Sequence, residues 1–91
     1  MISQDEFNAF TEDMLSKQAQ NDDEKGDMYK TESLTALVNM LQLEVNELKE
    51  AIVKYLHADD RDDHAEREAV RLECGDVGNF AAFIHTHMNK Y

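Results

Sequence analysis

The chain has no proline and only three glycines among its 91 residues. So few turn-forming positions disfavour a turn-rich β fold and suit long uninterrupted helices. No apolar run approaches the roughly 20 residues that a membrane span needs, so no membrane partner is expected. The opening Met1-Ile2-Ser3-Gln4-Asp5-Glu6 is acidic, which is unlike a secretory signal. A single cysteine, Cys74, has no internal disulfide partner and fits a reducing cytoplasm. Basic residues are also scarce: 9 Lys and Arg against 20 Asp and Glu leave a formal net charge of −11. That balance argues against a nucleic-acid polymer as partner, because phosphate backbones reward Lys and Arg. It leaves room for a free nucleotide, since a metal ion between carboxylates and phosphates reverses the local sign.

Apolar periodicity then organises one all-α domain over residues 1–91. Ser3 and Glu6 have capping-box spacing, so a first helix is expected from about Gln4, with Phe7, Phe10, Met14 and Leu15 as its apolar stripe. The stretch Asn21-Asp22-Asp23-Glu24-Lys25-Gly26-Asp27 has no apolar residue and reads as a loop. A second helix should start between Thr31 and Ser33 and run to about His57. Its broad apolar face carries Leu34, Leu37, Val38, Leu41, Val45, Leu48, Ile52, Tyr55 and Leu56. After the charged break Asp59-Asp60-Arg61-Asp62-Asp63, in which Asp62 or Asp63 can act as N-cap, a third helix is expected over roughly His64 to Asn89. Val70, Val77, Phe80, Ala81, Ile84 and Met88 form its apolar side. The second and third helices are expected to form an antiparallel hairpin beside the N-terminal helix. Such a hairpin exposes too much apolar surface to stand alone, so a four-helix-bundle core completed by a homodimer or homotetramer is expected.

Two short acidic patterns lie on those helices, Glu44-x-x-Glu47 and Glu73-x-x-Asp76. Residues three apart share nearly one helix face, so each pattern aims two carboxylates one way. At about 100° per residue, Glu44 projects within roughly 20–40° of Leu37, Leu48 and Tyr55, at the margin of the apolar face. Glu47 lies further round, near Met40, Ala51 and Lys54. Glu73 falls between Val77 and Phe80, and Asp76 near Phe83 and His87. Solvating acids more often occupy the far face, and an unpaired carboxylate inside an apolar stripe needs a compensating cation. The expected site is therefore one for hard divalent ions, Mg²⁺ first and Mn²⁺ possible, with Glu44, Glu47, Glu73 and Asp76 as ligands. The blander reading is a set of ordinary surface acids, since Asp59-x-x-Asp62 and Asp60-x-x-Asp63 have the same spacing.

With these residues in view, the chain resembles the MazG-like, all-α nucleoside triphosphate pyrophosphohydrolases, and in particular their small phage-type members. The matching stretches are Leu43-Glu44-Val45-Asn46-Glu47-Leu48-Lys49-Glu50-Ala51-Ile52 and Leu72-Glu73-Cys74-Gly75-Asp76-Val77, the latter continuing through Asn79-Phe80-Ala81. Lys25-Gly26-Asp27-Met28-Tyr29-Lys30 resembles a short lead-in, so the resemblance spans about Lys25 to His87. Asn46 stands where many relatives carry Gly, and many relatives continue into a further helix with basic residues. The resemblance implies hydrolysis of a nucleoside triphosphate to the monophosphate and pyrophosphate, with Mg²⁺ and a helical oligomer. It makes the four acids metal ligands and Glu47 the candidate acceptor of the attacking water's proton. The phosphate-binding role would fall to Lys54, two turns beyond Glu47, with Lys30, Arg61 or Lys90 as reserves. Asn79 could contact substrate or metal-bound water. The alternative is a non-catalytic nucleotide- or metal-binding helical module.

Tyr55 and Phe83 could stack on a base, although aromatic residues at helical spacing usually pack in a core. His85 and His87, two apart, point in different directions, and no Glu-x-x-His occurs, which argues against a di-iron bundle. Cys74 reads as a small buried residue. Asn21, Asp23, Lys25, Gly26 and Glu32 fall at positions 1, 3, 5, 6 and 12 of a calcium loop. Lys25 puts a cation where a ligand belongs, so calcium is not expected there.

Overall fold

The computed structural model describes residues 1–25, 33–58 and 63–90, with side chains at all of these except 19–25, 63 and 90. Three helices account for nearly all of them: α1 (Gln4–Lys25), α2 (Leu34–His57) and α3 (Asp63–Lys90). There is no strand among the described residues, and no helix long and apolar enough to cross a membrane.

Local chemistry explains the helix ends. Ser3 and Glu6 form the reciprocal box expected from their spacing. The Glu6 N–H donates to Ser3 Oγ at 3.1 Å and the Ser3 N–H to Glu6 Oε1 at 2.9 Å. That donated N–H holds the Glu6 carboxyl below its ordinary range. Ser33 caps α2: its backbone is extended (φ −68°, ψ 158°) and its hydroxyl accepts from the Ala36 N–H. Lys54 and His57 in the last turn face the negative end of the α2 dipole. Asp63 is the first helical residue of α3, and Asp62 lies outside the described residues.

The expected loop at residues 21–27 is corrected in part. Residues 21–25 continue α1, so the first five positions of the calcium-loop pattern are helical. Polar residues without Gly or Pro keep adequate helix propensity without an apolar face, and the first Gly is Gly26. Residues 26–32, including Lys30, Thr31 and Glu32, lie outside the described residues.

The helix α3 packs against both others, most extensively against α2. Leu37, Ala51 and Phe80 are buried, and Leu37 is wholly sequestered from water. Phe80 meets Phe83 edge-on, with ring centroids 5.4 Å apart. Where α1 meets α3, Gly75 and Gly78 lie one turn apart on the contact. A β-carbon at Gly78 would lie 2.6 Å from Phe10 Cζ and 3.0 Å from Met14 Sδ. Lack of a side chain there lets the apolar stripe of α1 settle onto α3.

Candidate metal centre

The packing of α2 on α3 decides where the acidic patterns point. Glu44, Glu47 and Glu73 each offer a carboxylate oxygen to one volume, all within 4.8 Å of one another. Glu44 and Glu73 are half-buried and Glu47 is exposed, so the cluster is open on the Glu47 side. One oxygen of Glu44 and one of Glu73 are buried with no hydrogen-bond partner. Such atoms carry the full cost of lost hydration.

Protonation reflects that cost. The Glu44 carboxyl is pushed up to about 7, first by burial and then by the negative charges of Glu47, Asp76 and Glu73. Glu73 is raised as well, by burial first, then by Asp76 and Glu47, with the Lys17 ammonium pulling the other way. Cys74 sits half-buried beside them, and burial plus the Glu73 charge raise its thiol above the ordinary value. A thiol held in its neutral form is a poor metal ligand, which leaves an oxygen-only donor set. Hard divalent ions of the Mg²⁺ or Mn²⁺ type fit that set and would satisfy the two partnerless oxygens.

Asp76 lies near enough for its charge to raise both Glu44 and Glu73. It pairs with Lys17 of α1, Nζ to Oδ2 3.5 Å, in a contact where both side chains are largely covered. Lys17 was not among the residues singled out from sequence, although a signal was present. It lies seven residues after Phe10 and three after Met14, so it continues the apolar stripe of α1. A lone cation in that stripe implies an acid across the interface.

Asn79 is buried and faces α1. Its amide donates to the Met14 carbonyl at 2.9 Å, and its oxygen accepts from Gln18 Nε2 at 2.9 Å. Lys54 is exposed on α2; Tyr55, beside it in sequence, carries the Arg67 guanidinium over its ring at 5.6 Å. His85 is exposed and within 3.3 Å of Asn89, away from the cluster residues. Lys30 and Arg61 lie outside the described residues, as does the side chain of Lys90.

Compared with known proteins, the chain matches no family model, no curated protein and no solved structure at significant similarity.

Proposed function

We propose that the chain is a Mg²⁺-dependent nucleoside triphosphate pyrophosphohydrolase, converting a nucleoside triphosphate and water to the monophosphate and pyrophosphate. The observation that carries this reading is the convergence of Glu44, Glu47 and Glu73 within 4.8 Å, with two buried oxygens lacking partners. The likeness of the two acidic segments to MazG-like enzymes supplies the reaction class.

In this reading Glu44, Glu47, Glu73 and Asp76 hold the ion or ions. A bound divalent cation neutralises phosphate charge and lowers the barrier to attack by water. Glu47 is the exposed member and the natural acceptor of the water's proton. As the water oxygen bonds to phosphorus, the bridging P–O bond breaks and pyrophosphate leaves with the electron pair. Lys54, exposed two turns along α2 from Glu47, can reach a phosphate of the extended substrate. Lys30 and Asn79 are further substrate contacts in this proposal, Asn79 only if Gln18 or Met14 yields its place. Turnover of a panel of nucleoside triphosphates with Mg²⁺ should release monophosphate and pyrophosphate, and Glu47→Gln should abolish it with helicity unchanged. Absence of product with every canonical and modified nucleotide counts decisively against an enzyme.

The second reading, a non-catalytic nucleotide- or metal-binding module, is favoured by the Lys17–Asp76 pair, which already supplies part of the neutralising charge. It predicts a Tm raised by Mg²⁺ and nucleotide without product.

Self-association belongs to the same proposal. Tyr55 meets Arg67 while Glu44 meets Glu73, an order that fits an antiparallel α2–α3 hairpin. The broad face of α2 is then divided. Leu37, Glu44, Ala51 and Tyr55 turn towards α3, while Leu34, Val38, Ile52 and Leu56 line a strip about 60–100° away and remain exposed. A second copy laid along that strip would complete a four-helix core. The cytoplasm, where Cys74 would stay reduced, is the compartment this reading implies.

A further inference from the structure

The acidic cluster has a cation of its own at one edge. Lys17 Nζ of α1 lies 3.5 Å from Asp76 Oδ2, with side-chain exposures of only 20% and 17%. Its field reaches the Glu73 carboxyl as well. An ion pair covered to that extent is screened much less than one on the surface. The fold also holds the ammonium in place. Lys17 stands between Met14 and Gln18, and Asn79 bonds the carbonyl of the first and the side-chain amide of the second, each at 2.9 Å. The aliphatic stem lies over Gly75, with Lys17 Cγ 3.7 Å from where a β-carbon would stand. Lys17 therefore runs along α3 towards the acids rather than out into solvent.

Charge then limits what the cluster can take. Glu44, Glu47, Glu73 and Asp76 bring four negative charges when ionised, and Lys17 returns one positive charge. A single divalent ion leaves one negative charge. A second would make the centre positive, which is costly at the few-ångström spacing of paired metal ions when no phosphate is present. Asp76 is also the acid that a second ion would need, because the three glutamates already converge within 4.8 Å on one volume. An ammonium beside Asp76 Oδ2 repels a dication there.

We propose that Lys17 is a built-in cation of the metal centre, standing in place of a second divalent ion, so that the nucleotide-free chain takes one ion through Glu44, Glu47 and Glu73. This rests on the carboxylate cluster being a metal centre, as proposed above, and sets its occupancy. It also makes α1 a working part of the site rather than a buttress for α3.

The test counts the ions bound by the full chain without nucleotide, at pH 8 and near-physiological salt. Mn²⁺ electron paramagnetic resonance gives the number and Mg²⁺ calorimetry the affinity. The wild type should bind one ion per chain. Lys17→Gln should bind two, the first about tenfold more tightly, the order of one screened charge a few ångströms away. Lys17→Arg, which keeps the charge, should bind one. Lys17→Gln combined with Asp76→Asn should return to one, because the acid for the second ion is gone. Loss of packing lowers metal binding, so a gained ion separates the charge of Lys17 from a structural role. Gly78→Leu displaces Phe10 and Met14, and Lys17 with them, and should gain the second ion with the lysine intact. Two ions in the wild type, or no second ion in Lys17→Gln and Gly78→Leu alike, overturns the proposal and leaves the metal centre standing. No ion in the wild type overturns both. Turnover is not read here, so a chain that binds one ion and hydrolyses nothing loses the enzyme reading and keeps this one.

Discussion

Each ionised carboxylate in the Glu44–Glu47–Glu73 cluster raises the free energy of ionising the next, and partial burial adds to that cost. In the unfolded chain Glu44 titrates near the ordinary 4.5, and in the fold it is pushed up to about 7. Between those values the folded state binds more protons than the unfolded one, so stability falls as pH rises. The stabilising protonation is complete below 4.5 and lost above 7, and Glu73 shifts in the same direction. In EDTA, Tm should therefore fall by several degrees between pH 5 and pH 8, a size set by roughly 4–8 °C per kcal/mol and reduced by solvent screening. Thermal melts of Glu44→Gln should show a shallower fall, and identical slopes would remove Glu44 as its source. Added Mg²⁺ should raise Tm more at pH 8 than at pH 5, because carboxylates must be ionised to ligate. Lys17 acts on the same balance through Asp76. Lys17→Met should destabilise the metal-free protein by about 1–2 kcal/mol, the range for a partly covered ion pair, with a smaller loss when Mg²⁺ is present.

At the scale of elements, contacts of three kinds hold α1 to α3 among the described residues. Phe10 and Met14 press on Gly78, Asn79 takes the Met14 carbonyl and Gln18, and Lys17 pairs with Asp76. These contacts lie within two turns of α3 and next to the acids, so α1 is positioned to set the charge of the site. Gly78→Ala offers a small test, because better helix propensity offsets part of the clash. Gly78→Leu offers a large one. Its side chain would fill the space held by Phe10 and Met14, and α1 should become susceptible to proteolysis while α2 and α3 keep their helicity. Hydrogen exchange that stays uniform across all three helices would show that α1 docks independently of this contact. Leu37→Ala should act on the other pair, costing about 2–5 kcal/mol by opening a cavity between α2 and α3.

For the whole molecule, the exposed strip of α2 is an unmet demand of the hydrophobic effect. Leu34, Val38, Ile52 and Leu56 remain open on the same helix that buries Leu37 and Ala51. Size exclusion with light scattering should return a dimer or larger, and Val38→Glu combined with Ile52→Glu should shift it to a monomer. A wild-type chain that runs as a well-folded monomer at micromolar concentration would refute the proposed four-helix core.

The helices were legible in the sequence because caps and apolar periodicity are local. Ser3 with Glu6, Ser33, and the recurrence from Leu34 to Leu56 act within a turn or two of themselves. The end of α1 was less legible, because a polar run without Gly or Pro fits a helix as well as a loop until Gly26. The spacing of Glu44 with Glu47 and of Glu73 with Asp76 aimed the acids, but which oxygens meet depends on how far α3 slides along α2. Packing brought Glu73 to the α2 pair and paired Asp76 with Lys17. It also turned Asn79 to α1 and placed Arg67 over Tyr55. Such pairings join residues far apart in the chain, and only the interlocking of side chains across helices selects one register among several with similar periodicity.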